Sequence, residues 1–306
     1  MESVGRLMIS VIMLTYNREK LIGRMIECIL AQTYRDFEFI IVNNGSTDLS
    51  GEVAEQYAAK DSRIRVIHRT RGSIGAGRNT GLDVAIGDYI AFIDDDDTCE
   101  PDFLEFLWRL ATDNHADVAI CGAADKVFDE KCIMTAEEAL VELMWRKRYN
   151  MGFPTKLFSR HLGRRIRFPE NDRYDDISQM HRLLADAQCV AYHGLSKYTV
   201  NRHESNNSAW TTNHSLITPE ILGEYLRAYR ERTVWLSGLF PESKAVWQYF
   251  EWSFMISMVE KITRLKLSGC DKELITLKHE LNMHRDVFLS CPYILDFEKD
   301  WIAKYA

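Results

Sequence analysis

No two cysteines in this chain are spaced C-x-x-C, and the seven present (28, 99, 121, 132, 189, 270 and 291) are scattered and odd in number. That pattern excludes a disulfide framework and a structural zinc site, and it predicts reduced thiols in a cytoplasmic protein. A basic excess is missing as well: 38 Lys and Arg stand against 45 Asp and Glu, a net charge of −7. Without a broad basic surface, no nucleic acid is expected as a partner. No run reaches the ~18 uncharged apolar residues of a membrane span. The nearest approach, 245–262, is broken by Glu251 and Glu260. Residues 1–6 are too few and too polar for a signal peptide, so a soluble chain is expected. There is no internal repeat and no low-complexity linker. At 306 residues the chain is long enough for one large domain or two.

What is present is a regular alternation. Leu7–Leu14, Phe37–Val42, Ile64–His68, Tyr89–Ile93 and Val118–Cys121 read as strands. Between them Lys20–Ala31, Leu49–Lys60, Gly75–Ala85 and Phe103–Asn114 carry helical spacing. Such alternation predicts an α/β fold, a mostly parallel sheet flanked by helices. Ser46, Thr47 and Asp48 offer caps for the second helix, and Pro101 suits the first turn of the fourth. From about 122 to 210 the pattern loosens, with a helical stretch at Thr135–Arg148 followed by loops. Beyond about 215 it is helical, with Trp235, Trp247, Trp252 and Trp301 at apolar positions, read as core or as an oligomer contact. The expected organisation is a domain over 1–210 and a helical C-terminal region over 211–306. Within the first, 1–100 would bind a nucleotide and 101–210 an acceptor.

Four consecutive aspartates, Asp94 to Asp97, follow the buried-strand pattern Tyr89–Ile93. In extended chain, Asp94 and Asp96 share a face. Carboxylates that close repel, so a cation or a shared proton is needed between them. Hard oxygen donors favour Mg2+ or Mn2+, which often bridge carboxylates to substrate phosphates. The plainer alternative is a solvated acidic turn. The other strands also end in polar residues: Thr15-Tyr16-Asn17, Asn43 to Asp48, and the glycine-rich Arg71 to Asn79. In a parallel sheet all these ends face one crevice.

This set, in this order, resembles the family-2 glycosyltransferases, inverting enzymes with a GT-A fold. Members read roughly P-x-Y-N, V-D-D-G-S-x-D, N-x-G-x-x-x-A-R-N-x-G and G-x-Y-I-x-F-L-D-x-D-D. The counterparts are Thr15-Tyr16-Asn17, Val42 to Asp48, Gly72 to Gly81 and Gly87 to Asp97. The similarity runs on through Arg167 to Glu170, Tyr174-Asp175-Asp176 and Asn201-Arg202-His203 to Ser208.

The resemblance implies a nucleotide diphosphate sugar as donor, read as a UDP-sugar, and a glycan, lipid-linked or glycoprotein acceptor. Thr15, Tyr16 and Asn17 would line the base slot, with the Asn44 amide facing uracil. Asn43 and Asn44 stand where the family has Asp; an amide both donates and accepts, and turn formation before a helix would explain both residues equally well. Arg78 would reach the nucleotide or its phosphates, or else pair with an aspartate. Asp94 would touch ribose, and Asp95, where relatives often have a small residue, would face solvent or substrate. Asp96 is the expected ligand of Mn2+ or Mg2+, joined by His203. The acid pair Asp175-Asp176 precedes an amphipathic segment, and the resemblance assigns the general base to Asp176. Two helix N-terminal carboxylates favoured by the dipole are the plainer reading.

Between Arg146 and Arg167 lie eight basic residues and no acidic ones. This stretch is either a solvated face or a patch for an anionic acceptor or a peripheral contact with the inner face of the membrane. Sugar nucleotidyltransferases share a related sheet but carry a G-x-G-x-R type loop near the first strand, where this chain has Thr15-Tyr16-Asn17-Arg18. A non-catalytic nucleotide-sugar-binding protein is the other alternative, against which Asp96 and Asp176 weigh.

Overall fold

Continuous buried apolar runs build the central strands. The computed structural model describes residues 7–123, 128–170, 175–201 and 209–306. Strand β1 (Ile9–Thr15) pairs in parallel with β2 (Phe37–Asn43) and β4 (Tyr89–Asp94), and β2 pairs in parallel with β3 (Ile64–His68). Their apolar residues are buried on both faces, as parallel strands covered by helices require. The register sets Thr15 opposite Asn43 and Leu14 opposite Asp94, so the polar ends predicted to meet do share one edge. Helices α1 (Ile22–Leu30), α2 (Ser50–Ala58) and α3 (Ile74–Val84) connect these strands. Asp48 accepts from the Ser50 N–H at 3.0 Å and holds the start of α2, as its position predicts. On α3 two glycines decide the packing. A Cβ at Gly77 would lie 2.2 Å from Leu14, and one at Gly81 would lie 2.5 Å from Ile12, both on β1.

The next section holds β5 (Thr98–Cys99), α4 (Phe103–Asp113), β6 (Val118–Ala123), β7 (Lys131–Met134) and α5 (Ala136–Trp145). It continues through β8 (Lys156–Ser159), α6 (Arg160–Gly163), α7 (Asp175–Asp186) and β9 (Val190–Thr199). The sheet order is β3-β2-β1-β4-β8-β6-β9-β5, with β7 also on β9. Three features depart from the expected outline. Strand β8 forms where loops were expected and lies antiparallel between β4 and β6. Helix α5 is shorter than Thr135–Arg148, because Thr135 forms a capping box with Glu138 and Arg146 turns left-handed at φ 51°. Pro101 precedes α4 by two residues, and its carbonyl accepts from the Thr33 N–H at 2.8 Å.

The chain divides into two compact units, residues 1–201 and 202–306. In the second, Thr218 caps α8 (Pro219–Leu239), and α9 (Lys244–Leu265) contacts α8, α10 (Asp271–Met283) and α12 (Asp296–Tyr305). The short α11 (Arg285–Leu289) supplies Phe288. Aromatic rings make this unit's interior: Tyr229 stacks on Phe254 at 4.1 Å, and Trp252 lies between His284 and Phe288. Among the described residues no helix is long and apolar enough to cross a membrane.

Lys156, at the start of β8, is fully buried, and its ammonium donates to the Gly152 carbonyl. Burial pushes that ammonium down to about 7 from 10.5, against weak opposition from Cys121 and Asp176. Between those two pH values the unfolded chain holds a proton that the folded chain has released, so stability rises with pH there. Below about 7 both states are charged and the full cost of burial applies. Lys156→Met is therefore expected to stabilise the protein by roughly 1–4 kcal/mol near pH 6. The gain should shrink as pH climbs toward 10.5. Urea midpoints at pH 6, 8 and 10 check this; a gain that grows with pH would contradict it.

Candidate active site

Three loops at the ends of β1, β2 and β3 are stitched together by side-chain amides. Asn17 turns left-handed at φ 53°, accepts from the Thr47 N–H at 2.8 Å and donates its own N–H to Ser46 Oγ at 3.1 Å. Asn44 is buried and exchanges two hydrogen bonds with the Gly72 backbone, donating at 2.9 Å and accepting at 3.2 Å. Asn43 accepts from the Ser46 N–H at 3.0 Å and meets His68 Nδ1 at 3.1 Å, which is turn chemistry. Gly45 has φ 79°, and a Cβ there would stand 2.5 Å from the Arg71 nitrogen. The Arg71 guanidinium lies 3.3 Å over the Tyr16 ring. Thr15 is buried, and its carbonyl accepts from the Asn44 N–H at 2.9 Å. Thr15, Tyr16, Asn17 and Asn44, named from the sequence for a base slot, thus lie close together, and the contact of Arg71 with Tyr16 is one that spacing alone did not reveal.

The aspartate loop is tied down on its flanks. The Asp94 N–H donates to the Tyr198 hydroxyl at 3.1 Å, and the Asn201 N–H donates to Asp97 at 2.8 Å. The Asp96 carbonyl accepts from Arg24 at 2.7 Å and from the Asn201 amide at 2.9 Å. Arg18 stands 3.8 Å from the Asp95 carboxylate and 3.9 Å from that of Asp96. The side chain of Asp94 keeps 46% of its surface open, whereas Asp95, Asp96 and Asp97 are buried. Loss of water is the largest influence on three of these acids. It pushes Asp94 up to about 6 against Arg78, Asp95 up to about 7 against Thr15 and Arg18, and Asp97 up to about 8 against Asn201 and Tyr198. Neighbouring acids add to each rise.

Carboxylate oxygens are the hard donors that suit Mg2+ or Mn2+, and ions of this kind usually draw the rest of their shell from substrate and water. Among the described residues no three His, Cys, Asp or Glu side chains converge as a complete site. His203, expected as a further ligand, lies outside the described residues.

The acid pair opens α7. Both carboxylate oxygens of Asp175 accept from Arg78 Nη1, at 3.0 and 2.9 Å, and Asp175 is buried. Arg78 Nη2 reaches Asp94 at 3.4 Å. The guanidinium expected at a phosphate is thus turned toward two carboxylates. Asp176 accepts from the Ile177 N–H at 2.9 Å, and its second oxygen makes no hydrogen bond among the described residues. Burial and then Asp175 push the Asp176 carboxyl upward, against Arg78 and Arg146. A carboxylate so placed keeps a free oxygen and an enhanced appetite for a proton.

The basic stretch is not one open patch. Arg148 pairs with Glu130 at 3.1 Å and Glu142 at 2.7 Å, Arg165 with Asp186 at 3.0 Å, and Arg167 with Asp83 at 2.8 Å. Lys156 is inside, and Arg160 donates to the Ile86 carbonyl at 2.9 Å. Local partners therefore offset much of the charge that the sequence appeared to concentrate.

A model of glycosyl transferase family 2 matches residues 10–174. The glycosyltransferase GlyG of Streptococcus pneumoniae is 31% identical over 221 residues, 65% of this chain and 72% of that protein. The uncharacterized glycosyltransferase EpsJ of Bacillus subtilis is 44% identical over 115 residues, 38% of this chain; the match spans only 33% of EpsJ. Among solved structures, Staphylococcus aureus TarS 1–349 in complex with UDP-GlcNAc superposes with a TM-score of 0.63. That match has 19% identity and covers 84% of this chain and 82% of that one. The mannosyltransferase PcManGT of Pyrobaculum calidifontis, in complex with GDP-Man and Mn2+, gives 0.58 at 15% identity and covers 98% of this chain and 84% of that one. At such identities the likeness is one of fold.

Asn79, beside Arg78 on α3, clamps the strand-like backbone at Phe168 from both sides, donating at 2.9 Å and accepting at 2.9 Å. Asn79→Leu would leave a buried N–H and a buried C=O unpaired, each costing about 1–3 kcal/mol. A fall in stability of at least about 2 kcal/mol is expected, read from denaturant midpoints. A change under 0.5 kcal/mol, on the order expected of a surface site, would show that the clamp is idle.

Proposed function

The chain belongs to glycosyl transferase family 2, and on that premise we propose that it transfers a sugar with inversion from a UDP-sugar to a hydroxyl of a glycan, lipid-linked or glycoprotein acceptor. The observation that carries this reading is the meeting of a base slot, an acid loop and an acid pair at the edge where β1, β2 and β4 end. Tyr16, with Thr15, Asn17 and Arg71 around it, would hold the base. Asn44 would act mainly through the loop it closes, with one lone pair of its carbonyl left for a uracil N–H. Asp94, the most open of the four aspartates, would contact ribose, with Asp95 beside it. Asp96 would hold the divalent ion, with His203 as a second ligand. That ion, when bound, offsets the negative charge that builds on the departing diphosphate.

The acceptor oxygen attacks the anomeric carbon as the bond to the diphosphate breaks, and Asp176 takes the hydroxyl proton on its free oxygen. The new glycosidic bond then lies on the opposite face from the leaving group. Support for a nucleotide-sugar donor comes from the solved structures of similar fold that hold UDP-GlcNAc or GDP-Man, and the Asn44 amide is the ground for reading the base as uracil. A cytoplasmic setting, with peripheral contact at the inner face of the membrane and self-association through 211–306, completes the proposal.

Asp176→Asn is expected to keep UDP affinity and to lose ~10²–10⁴ of the transfer rate. Asp96→Ala should instead remove the Mn2+-dependent part of UDP binding measured by calorimetry. Near-normal turnover in Asp176→Asn, or unchanged Mn2+ dependence in Asp96→Ala, would overturn the respective role. A panel of UDP- and GDP-sugars screened for donor hydrolysis decides the base.

A further inference from the structure

We infer that Arg78 is the positioning residue of the general base, joining the acid pair to the aspartate loop, rather than a ligand of the donor phosphates. This rests on the reading of Asp176 as base. The argument begins with where the guanidinium spends its donors. Nη1 serves both oxygens of Asp175 at 3.0 and 2.9 Å, and Nη2 serves Asp94 at 3.4 Å. The side chain retains only 12% of its surface and that of Asp175 only 5%. Around it stand Phe92 at 6.0 Å, Phe153 at 5.5 Å and Phe168 at 5.4 Å. These rings touch one another edge to face, at 5.2, 5.5 and 4.8 Å. A cation enclosed by three ring faces and edges has little freedom to swing toward a ligand.

To reach a phosphate, the guanidinium would have to leave Asp175, stranding a buried carboxylate. Held as it is, it fixes the first residue of α7, and Asp176 is the next residue on that first turn. The neighbouring Asn79 fixes the backbone at Phe168, so two consecutive α3 residues hold Asp175 and the Phe168 backbone. The longer contact to Asp94 runs to the donor side. Arg78 therefore sets the distance between the acid that accepts the proton and the loop that receives the donor. Lysine cannot reproduce this, since Arg78 meets Asp175 through Nη1 and Asp94 through Nη2, and one ammonium cannot span both carboxylates as two nitrogens of a rigid guanidinium do.

The test compares Arg78→Lys, Arg78→Met, Asp175→Asn and the Arg78→Met/Asp175→Asn double variant with the wild-type full chain. UDP affinity is measured calorimetrically with Mn2+, amide hydrogen exchange over 175–184 is followed without ligand, and hydrolysis of UDP-GlcNAc serves as the turnover probe. The expected result is UDP affinity within about threefold of wild type, with exchange over 175–184 faster by tenfold or more in Arg78→Met and Asp175→Asn. Arg78→Lys should not restore protection, and the double variant should be no worse than either single one, because both remove the same contact. UDP affinity reduced tenfold or more in Arg78→Lys, with exchange over 175–184 unchanged, would overturn the inference and return Arg78 to the phosphates. Failure of the wild-type chain to bind UDP or to turn over any sugar nucleotide would instead count against the proposed function, and the exchange comparison would still decide the role of Arg78.

Discussion

An enclosed guanidinium bonded to carboxylates from two distant segments is the interaction on which the rest of this site depends. Arg78 comes from α3, Asp94 from the end of β4 and Asp175 from the start of α7. Removing one member of a buried pair generally costs about 3–5 kcal/mol, because the other is left charged without water. The cost is concentrated where the first turn of α7 must hold Asp176. Glycines 77 and 81 contribute from the same helix, since they let α3 lie close on β1 and bring Arg78 within reach. Position 78 thus depends on the backbone around it, and the acid pair depends on position 78.

The aspartate loop presents the opposite problem, too many like charges with too few cations. Arg24 and Asn201 hold its backbone, and Arg18 stands 3.8 Å from the Asp95 carboxylate and 3.9 Å from that of Asp96. Burial and neighbouring acids raise the proton affinity of Asp94, Asp95 and Asp97, and a divalent ion at the proposed site would compete with those protons for the same oxygens. The loop is shaped by its flanks and its charge is left to be neutralised. That division suits a site whose cation arrives with its substrate.

Much of the first unit was legible in the sequence because β1, β2 and β4 are near-continuous buried apolar runs and α1 and α4 carry clear apolar stripes. Strand β8 was not, because four residues beginning with Lys156 show neither alternation nor a continuous apolar run. The site residues were legible as types and spacing, but not as partners. Arg78 and Asp175 are 97 positions apart, and no local pattern encodes which acid a buried arginine will meet. The partners of the basic stretch were hidden for the same reason: Glu130, Glu142, Asp83 and Asp186 lie outside it in sequence and beside it in space. In the helical unit, tryptophans read as core or as an oligomer contact pack on aromatic rings of the same unit, as Trp252 does on Phe288 and Trp301 on Phe297.

The departure from the family pattern at Asn44 has a physical reason in the fold. Its amide donates to the Gly72 carbonyl and accepts from the Gly72 N–H, closing the loop after β2 onto the glycine-rich loop before α3. Aspartate in this place could accept from that N–H, but it would turn a second lone pair toward the carbonyl. It would also add a buried negative charge to a crevice that already collects four carboxylates. An amide avoids both conflicts. The same substitution fixes Gly72 relative to Asn44 without help from a bound nucleotide, so this edge of the base slot is preformed by the chain. Negative charge is left to the aspartates at the end of β4, so loop closure and charge are assigned to two strands that flank β1.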